Sequence, residues 1–362
     1  MAYTTIDNPA LFFNTVLYTG DLQDSDGTGH TQSITGVGFQ PDWVWHKGRS
    51  GARTHMLVDR VRGVSSYNWL ASNSSGAELT TNTNGAISSI DSDGITVQNG
   101  NDSSSKSNNA GKNGETWVFW NWLAGGSASS NSDGSITSSV SANTTAGFSI
   151  VTYTGTGSSA TIGHGLSSTP QVVLIKCRSD ATNWHMYHSS VTTADNQVMY
   201  LDLTNALSTL TTSSFDVSEF SSSVFGLNTN DAVNGSGRTY VAYCFAEKQG
   251  YSKFGSYTGN GDADGTFIYT GFKPAWVLVK KTDGANAWHL FDNKRNTFNP
   301  NDRGLFPNTS DAENTGNGID FLSNGFKFRS TDGGYNNGGY LYMVFAEAPF
   351  ATAGTKAAGT AR

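Results

Sequence analysis

Hydrophobic and polar positions alternate along the chain in short stretches, and turn residues interrupt them at short intervals. Asp-Gly pairs mark many of these interruptions, at Asp26-Gly27, Asp93-Gly94, Asp264-Gly265, Asp283-Gly284 and Asp332-Gly333. Asp-Gly is favoured in tight hairpin turns because glycine adopts a positive φ at little cost. Two-residue alternation between such turns predicts antiparallel β-strands rather than helices.

The alternating pattern belongs to a longer repeat of five landmarks, which occurs three times in the same order. Each copy opens with an aromatic strand end followed by Thr-Gly, at residues 17–20, 152–155 and 256–259. A proline then leads into an apolar run, at 41–47, 170–176 and 274–280. Proline is tolerated at a strand entry because no ladder donor is needed there, and the continuous apolar run predicts a strand covered on both faces.

The remaining landmarks are a histidine-containing strand, a turn followed by a strand, and an aromatic closing strand. They occupy 54–59, 92–97 and 116–122 in the first copy, 184–188, 223–227 and 239–247 in the second, and 288–292, 323–328 and 340–347 in the third. The residues that mark the repeat most clearly are Pro41, Trp43, His55, Pro170, His185, Pro274, Trp276 and His289.

The spacing of the repeats predicts domains, because their period is far longer than the roughly 20 to 50 residues of a solenoid repeat. We expect an all-β protein of three tandem antiparallel β-sandwich, jelly-roll-like domains over 1–123, 147–248 and 249–350. The segment 124–146 is rich in Gly and Ser and is expected to be a linker, and 351–362 a peripheral tail.

Composition and charge support this class and exclude others. With 36% hydrophobic and 12% aromatic residues the chain can build packed cores. The net charge of −7 and the scattering of 22 Lys and Arg disfavour nucleic-acid binding. Neither a signal peptide nor a long apolar segment is visible, so we expect neither Sec export nor membrane insertion. Cys177 and Cys244 are expected to be buried apolar residues of a protein made in a reducing cytosol.

Several of these segments resemble a family of repeat-containing virion structural proteins, called tail-fibre-like, of marine and other aquatic bacteriophages. The resemblance is carried by residues 1–9 with Phe12-Phe13, by Gln40-Pro41-Asp42-Trp43-Val44-Trp45, and by residues 271–277 and 319–327. It implies a component of the phage tail or head, made in the host cytoplasm and released by lysis, and it brings no catalytic residues. The second repeat departs from the pattern, since Gln171-Val172-Val173 stands where the others have Trp43 or Trp276.

Candidate catalytic and metal-binding groups are better explained as structural. His55 with Asp59, His289 with Asp292, and His185 with His188 lack a nucleophile elbow or a metalloprotease helix, and three copies suit a structural histidine. Glu247 and Glu347 mark equivalent strand ends. The Asp-x-Asp-Gly turns at 24–27, 91–94 and 262–265 lack the distant Glu of a calcium-binding EF-hand. We therefore predict no catalytic residues, no cofactor and no metal, with calcium at the Asp-Gly turns left open.

The aromatic residues are the remaining candidates for recognition. Most Trp side chains are expected in buried strands, namely Trp43, Trp117, Trp122 and Trp276. Trp69 and Trp120 are the candidates for exposure and for contact with a glycan or a partner, because aromatic faces stack on sugars.

These observations give one leading hypothesis and two alternatives. We expect a non-enzymatic virion protein that serves in tail-associated adhesion or head decoration. Its partners would be other virion proteins, with host surface glycans as further candidates and a homo-oligomer, such as a trimer, by analogy. The alternatives are a tail-borne polysaccharide depolymerase, which needs two convergent carboxylates, and a cellular lectin or adhesin.

Overall fold

A computed structural model describes residues 3–64, 67–316 and 318–351, and nearly all regular structure in it is β. The predicted all-β class is confirmed, and the strands pair in antiparallel ladders. Within this described part, no helix has the length and apolar character needed to cross a membrane. The tail predicted over 351–362 lies outside the described residues from position 352 onward.

Unit 1 of the chain contains seven strands in two sheets, preceded by a 3-10 helix at Pro9–Leu11. The strands are β1 (Phe13–Thr19), β2 (Thr31–Thr35), β3 (Trp43–Gly48), β4 (Met56–Asp59), β5 (Ala86–Asp91), β6 (Gly94–Gln98) and β7 (Thr116–Trp122). The inner sheet has the order β1-β7-β3-β4 and the outer sheet the order β2-β6-β5. The predicted Asp93-Gly94 turn joins β5 to β6.

The segment between units 1 and 2 is not a linker, which corrects the prediction for 124–146. It forms β8 (Ser129–Asn131) and β9 (Ser138–Asn143), a hairpin that extends the sheet of unit 2. The prediction failed because β-pairing is decided by packing as much as by intrinsic propensity. Val140 and Ile136 are buried, and these two aliphatic residues attach the polar hairpin to the core of unit 2.

Unit 2 repeats the two-sheet plan and adds strands at both edges of its inner sheet. Its elements are β10 (Phe148–Thr154), β11 (Ala160–Gly163), β12 (Val172–Cys177), β13 (His185–His188), β14 (Gln197–Tyr200), β15 (Ser208–Thr209), β16 (Phe215–Asp216), a 3-10 helix (Val217–Glu219), β17 (Val224–Leu227), α1 (Asp231–Asn234) and β18 (Thr239–Phe245). The inner sheet has the order β15-β14-β13-β12-β18-β10-β9-β8, and the outer sheet β11-β17-β16.

Unit 3 returns to the pattern of unit 1, with four inner and three outer strands. They are β19 (Ser252–Asn260), β20 (Phe267–Tyr269), β21 (Phe272–Lys281), β22 (His289–Asp292), β23 (Ile319–Leu322), β24 (Gly325–Phe328) and β25 (Asn337–Pro349). The inner sheet has the order β19-β25-β21-β22 and the outer sheet β20-β24-β23.

The proline-led strands are buried on both faces, as their apolar runs predict. In β3, Val44 packs with Ile95 of the outer sheet in a core that belongs to unit 1 alone. Trp43 and Trp45 point to the opposite face, since successive side chains in a strand alternate. Both cysteines are likewise buried. Cys177 and Cys244 lie in a core formed by unit 2 and its β8–β9 hairpin alone.

The second face of each inner sheet packs against the other two units. The sequence predicts separate domains, whereas the structure joins all three units through one central core. Its members include Trp43, Trp45, Trp120, Trp122, Phe148, Trp184, Tyr243, Phe245, Trp276, Trp288, Met343 and Phe345. The void left at its centre measures only about 10 Å³, so the three faces fill the space between them.

Equivalent hydrogen bonds run from each unit to the next and close a ring. His55 Nε2 of unit 1 contacts the Phe306 carbonyl of unit 3 at 3.0 Å. Trp184 Nε1 of unit 2 donates to Ala71 of unit 1, and Trp288 Nε1 of unit 3 donates to Tyr200 of unit 2, both at 2.8 Å. Each unit therefore contacts both others.

The register also corrects the alignment of the histidine strands. His185 pairs with Ile175, and His289 pairs with Val279. The residue of unit 1 equivalent to Ile175 and Val279 is His46, and His46 pairs with Met56 and not with His55. His55 therefore corresponds to Trp184 and Trp288. A shift of one residue places a side chain on the opposite face of a strand, so the three histidines do not occupy one repeated site.

We expect Trp43→Ala or Trp276→Ala to lower the free energy of unfolding of the whole chain by about 3 to 5 kcal/mol. The Trp43 ring lies 4.4 Å from that of Tyr243 in unit 2, so its loss opens a cavity between units. Urea unfolding followed by circular dichroism measures the effect. Phe298→Ala, at a ring that is 77% exposed, is the control and should change stability by no more than about 0.5 kcal/mol. Separate unfolding of single units would contradict the shared core.

Candidate functional site

A surface cavity of about 240 Å³ lies at the outer side of unit 1, beside Trp69. Its wall is formed by Trp69, Leu79, Thr81, Thr83, Asn84, Gly85 and Asn109. Trp69 and Leu79 face each other across a small antiparallel bridge, in which each backbone N–H donates to the other's carbonyl at 3.1 and 3.0 Å. Because Leu70 in turn pairs with Leu57 of β4, this bridge extends the inner sheet of unit 1.

The polar side of the cavity is a Thr- and Asn-rich loop held in place by its neighbours. Asn84 Nδ2 donates to the hydroxyl of Ser105 at 2.6 Å, and the Asn84 carbonyl accepts from the Asn109 backbone N–H at 2.7 Å. Gly85 has a φ of +88°, and a Cβ there would meet the Lys106 carbonyl at 2.9 Å. These contacts fix the loop against the segment that supplies Asn109.

The chemistry of this Trp69 cavity suits an uncharged, hydroxyl-rich ligand. Its wall combines an aromatic residue and an exposed aliphatic one, Leu79, with threonine hydroxyls and asparagine amides, and none of the lining residues is charged. Trp69 Nε1 is buried and has no hydrogen-bond partner among the described residues. Aromatic surface with amide and hydroxyl donors is the combination that binding sites use to orient a polar ligand.

The two tryptophans predicted as exposed are both buried, and they differ in what they contact. Trp69 is only 6% exposed, yet it forms part of the cavity wall. Trp120 is fully buried, donates through Nε1 to Asp292 at 3.0 Å, and lies 5.8 Å from the Arg295 guanidinium. The prediction for Trp120 is therefore wrong, because the face of β7 that carries Trp120 is covered by unit 3.

The other residues of the Trp69 cavity are not predicted by the repeat pattern of the sequence. The available signal was the run of Thr and Asn at 80–84, directly after Leu79. Asn109 lies 30 residues further along the chain than Leu79, so only the fold brings Asn109 beside this run. Of the repeat landmarks, Trp43 and Trp276 lie in the central core, whereas His185 and His289 lie on the opposite faces of their strands.

Three of the six glutamates of the chain, Glu78, Glu115 and Glu313, are held by arginines, and two of these three join units. Glu78 of unit 1 lies 2.6 Å from Arg62 and 2.8 Å from Arg178 of unit 2. Glu313 of unit 3 lies 3.0 Å from both Arg295 and Arg49 of unit 1. The Arg178 and Arg49 pairs therefore connect unit 1 to units 2 and 3.

The aspartates beside these arginines take part in the same contacts. Asp59 pairs with Arg62 and accepts from the Tyr243 hydroxyl at 2.8 Å, while Asp292 pairs with Arg295 and accepts from Trp120. Both carboxylates are fully buried. Buried carboxylates require such partners, because the desolvation of an unpaired charge is very costly.

Three equivalent lysines, Lys47, Lys176 and Lys280, are also buried. Burial lowers the pKa of Lys47 to about 7 and the pKa of Lys176 and Lys280 to about 8. A lysine with a lowered pKa can act as a nucleophile, but these ammonium groups donate to backbone carbonyls. Lys47 donates to Ser310 of unit 3 at 3.0 Å and Lys176 to Ser75 of unit 1 at 3.1 Å. The geometry makes these two lysines contacts between units.

The Asp-Gly turns use their carboxylates within the protein. Asp24 accepts from Ser107, Asp91 from the Thr96 hydroxyl, and Asp264 pairs with Lys327 and Arg329. Among residues 3–64, 67–316 and 318–351, no group of three or more His, Cys, Asp or Glu is placed to hold a metal ion.

Buried histidines make the fold sensitive to acid. Burial lowers the pKa of His46 and His185 to about 3 and of His188 and His289 to about 4. Between these values and about 6.5, the unfolded chain binds protons that the folded chain does not. Stability therefore rises with pH across this window and is lost as pH falls through it. Asp202, whose pKa burial raises to about 6, acts in the opposite direction but is a single group.

We expect the free energy of unfolding, measured by urea titration, to fall as pH is lowered from 7 to 4. The fall should be at most about 1.4 kcal/mol per pH unit for each such histidine. His289→Gln should make this dependence shallower, because it removes one of these groups. His30→Gln is the matched control, since His30 is exposed, and it should reproduce the wild-type slope. Equal slopes in all three proteins would refute the linkage.

Comparison with known proteins adds a family but no function. A family model described as a domain of unknown function, DUF7483, matches residues 8–349. No curated protein and no solved structure matches the chain. The matched range takes in all three units, from the 3-10 helix at Pro9–Leu11 to the end of β25. The chain therefore belongs to the DUF7483 family.

Proposed function

We propose that this protein is a non-enzymatic structural component of a bacteriophage particle, mounted on the tail or head, whose Trp69 cavity contacts host surface glycans. The observation that carries the proposal is the closure of three repeats around one central core. A closed, densely packed body of this kind is suited to holding surface loops in fixed positions.

The use of the buried polar groups supports a structural role. The ion pairs Glu78–Arg178 and Glu313–Arg49 connect units. The buried side chains of His55 and Lys47 also bond to backbone carbonyls of unit 3. In an enzyme such polar side chains would point into a cleft, whereas here they lie at the contacts between units. Their removal is expected to affect folding before any separable activity.

The Trp69 cavity supports the contact with glycans. Its uncharged wall offers apolar surface and several hydroxyl and amide groups, which match the apolar faces and hydroxyls of a sugar. The bridge between Trp69 and Leu79 and the Gly85 turn hold this wall in place without a ligand. A preformed site loses little conformational entropy on binding.

Immunogold labelling of purified phage particles, with an antibody raised against this chain, tests the location. We expect label on every intact particle, either at the distal tail, which would indicate adhesion, or over the head, which would indicate decoration. Particles of an unrelated phage serve as the control for the antibody. Absence of label from all particles would refute the virion proposal.

Binding to envelope polysaccharide purified from the host tests the cavity. We expect Trp69→Ala and Asn109→Ala to weaken binding by about tenfold or more, equivalent to about 1.4 kcal/mol. Asn101→Ala, at an exposed asparagine outside the cavity, should leave binding unchanged. Since no charged residue lines the cavity, binding should depend little on salt.

Two controls make this experiment decisive. The urea midpoint of Asn109→Ala should match that of wild type, which separates loss of the site from loss of the fold. Equal binding by all variants would exclude the Trp69 cavity as the site. Release of reducing sugar from the polysaccharide would instead support the depolymerase alternative.

A further inference from the structure

The groove between units 1 and 2 is filled by strand β9, whereas no strand of the described chain fills the equivalent groove between units 3 and 1. In unit 2, β9 pairs along β10, with Ser141 opposite Ile150. The residues before this hairpin occupy the same groove, where the backbone N–H groups of Ala124 and Gly126 donate to Asp42 of unit 1 at 2.8 and 3.1 Å. The edge of β10 is thus covered by the chain itself.

Strand β1 occupies the position of β10 in unit 1. The register shows this, because Phe13 pairs with Trp122 as Phe148 pairs with Phe245. In the described part of the chain, β1 pairs only with β7, so its other edge has no strand beside it. Thr15 is the residue of β1 that corresponds to Ile150. Its backbone N–H donates to the side-chain oxygen of Asn14.

A cavity of about 70 Å³ lies along this edge, between β1 and unit 3. Asn14 and Thr15 line one side, and Ala275, Lys294 and Glu347 line the other. Ala275 stands at the position of Asp42, the residue that anchors the filling segment in the equivalent groove. The two grooves are therefore related by the repeat, one filled and one empty.

The groove beside β1 also contains an unsatisfied polar group. Thr15 is 5% exposed, and its hydroxyl oxygen has no hydrogen-bond partner among the described residues. In unit 2 the residue paired with the equivalent position is Ser141. A serine-like residue on an added strand would stand directly opposite Thr15.

The edge of β1 lacks the features that keep exposed edges from pairing. It contains no charge, proline or glycine, and Leu17 is 36% exposed. The corresponding edge strand of unit 3, β19, carries Lys253, Gly255 and a serine, Ser256, at the position of Leu17. Charged and irregular edges discourage strand addition, so the sequence distinguishes β1 from β19.

We propose that the open edge of β1 binds an extended segment of a different polypeptide, which adds as an antiparallel strand and carries small polar residues alternating with aliphatic ones. The chemistry of this partner is given by β9, whose residues Ser138–Asn143 perform the same role on β10. Strand addition of this kind takes its affinity from main-chain hydrogen bonds and its specificity from alternate side chains. The inference concerns the groove alone and does not depend on the proposed function.

The test uses the full chain and a fluorescent peptide that copies residues 136–144. We expect saturable binding by fluorescence anisotropy, and Leu17→Lys should weaken it at least tenfold by placing a charge on the edge. Ser256→Lys, the same change at the equivalent exposed position of β19, is the matched control and should bind as wild type does. A peptide with proline in place of Val140 should not bind, because it cannot complete the ladder.

Hydrogen exchange locates the bound peptide. We expect slower exchange of backbone amides in β1 and unchanged exchange in β19. No binding at millimolar peptide, or equal binding by Leu17→Lys and wild type, would overturn the proposal. So would oligomers of the chain alone that Leu17→Lys dissociates, since a second copy would then occupy the edge.

Discussion

The fold depends on covering two apolar faces of each inner sheet. The outer sheet of a unit covers one face, but no second layer within the unit covers the face that carries residues such as Trp43. The three inner sheets cover one another, so each supplies the missing layer of the other two. Because burial of apolar surface is the main force that favours folding, a single unit would leave its aromatic face in water.

Polar contacts at the rim of the central core make its three junctions different. Arginine and glutamate connect unit 1 to both neighbours, through Glu78 with Arg178 and through Glu313 with Arg49. At the equivalent place between units 2 and 3, Leu207 and Thr282 stand instead of the charged pair and keep the backbone bond that also joins Glu78 to Arg178 and Glu313 to Arg49. These ion pairs form only when the units pack in the observed order. In any other order a charged side chain would be buried without its partner, which is costly, so the ion pairs favour this order.

The candidate sites lie where the repeat is broken. The cavity beside Trp69 is built from a Thr- and Asn-rich loop of unit 1, and the open edge of β1 lacks the hairpin that covers β10. Residues that maintain the repeat are buried and engaged in packing. Departures from the repeat cost the common core little, and they leave these surfaces available for partners.

The sequence alone determined the all-β class, the threefold repetition, the buried proline-led strands and the burial of both cysteines. These properties follow from local patterns: alternation, turn residues and apolar runs. The sequence did not determine the shared core, the β8–β9 hairpin or the burial of Trp120, and it aligned His55 one residue away from its true equivalent. Only the tertiary structure decided these features, because they depend on which surface lies opposite each face, and that information is not contained in the local pattern of any one strand.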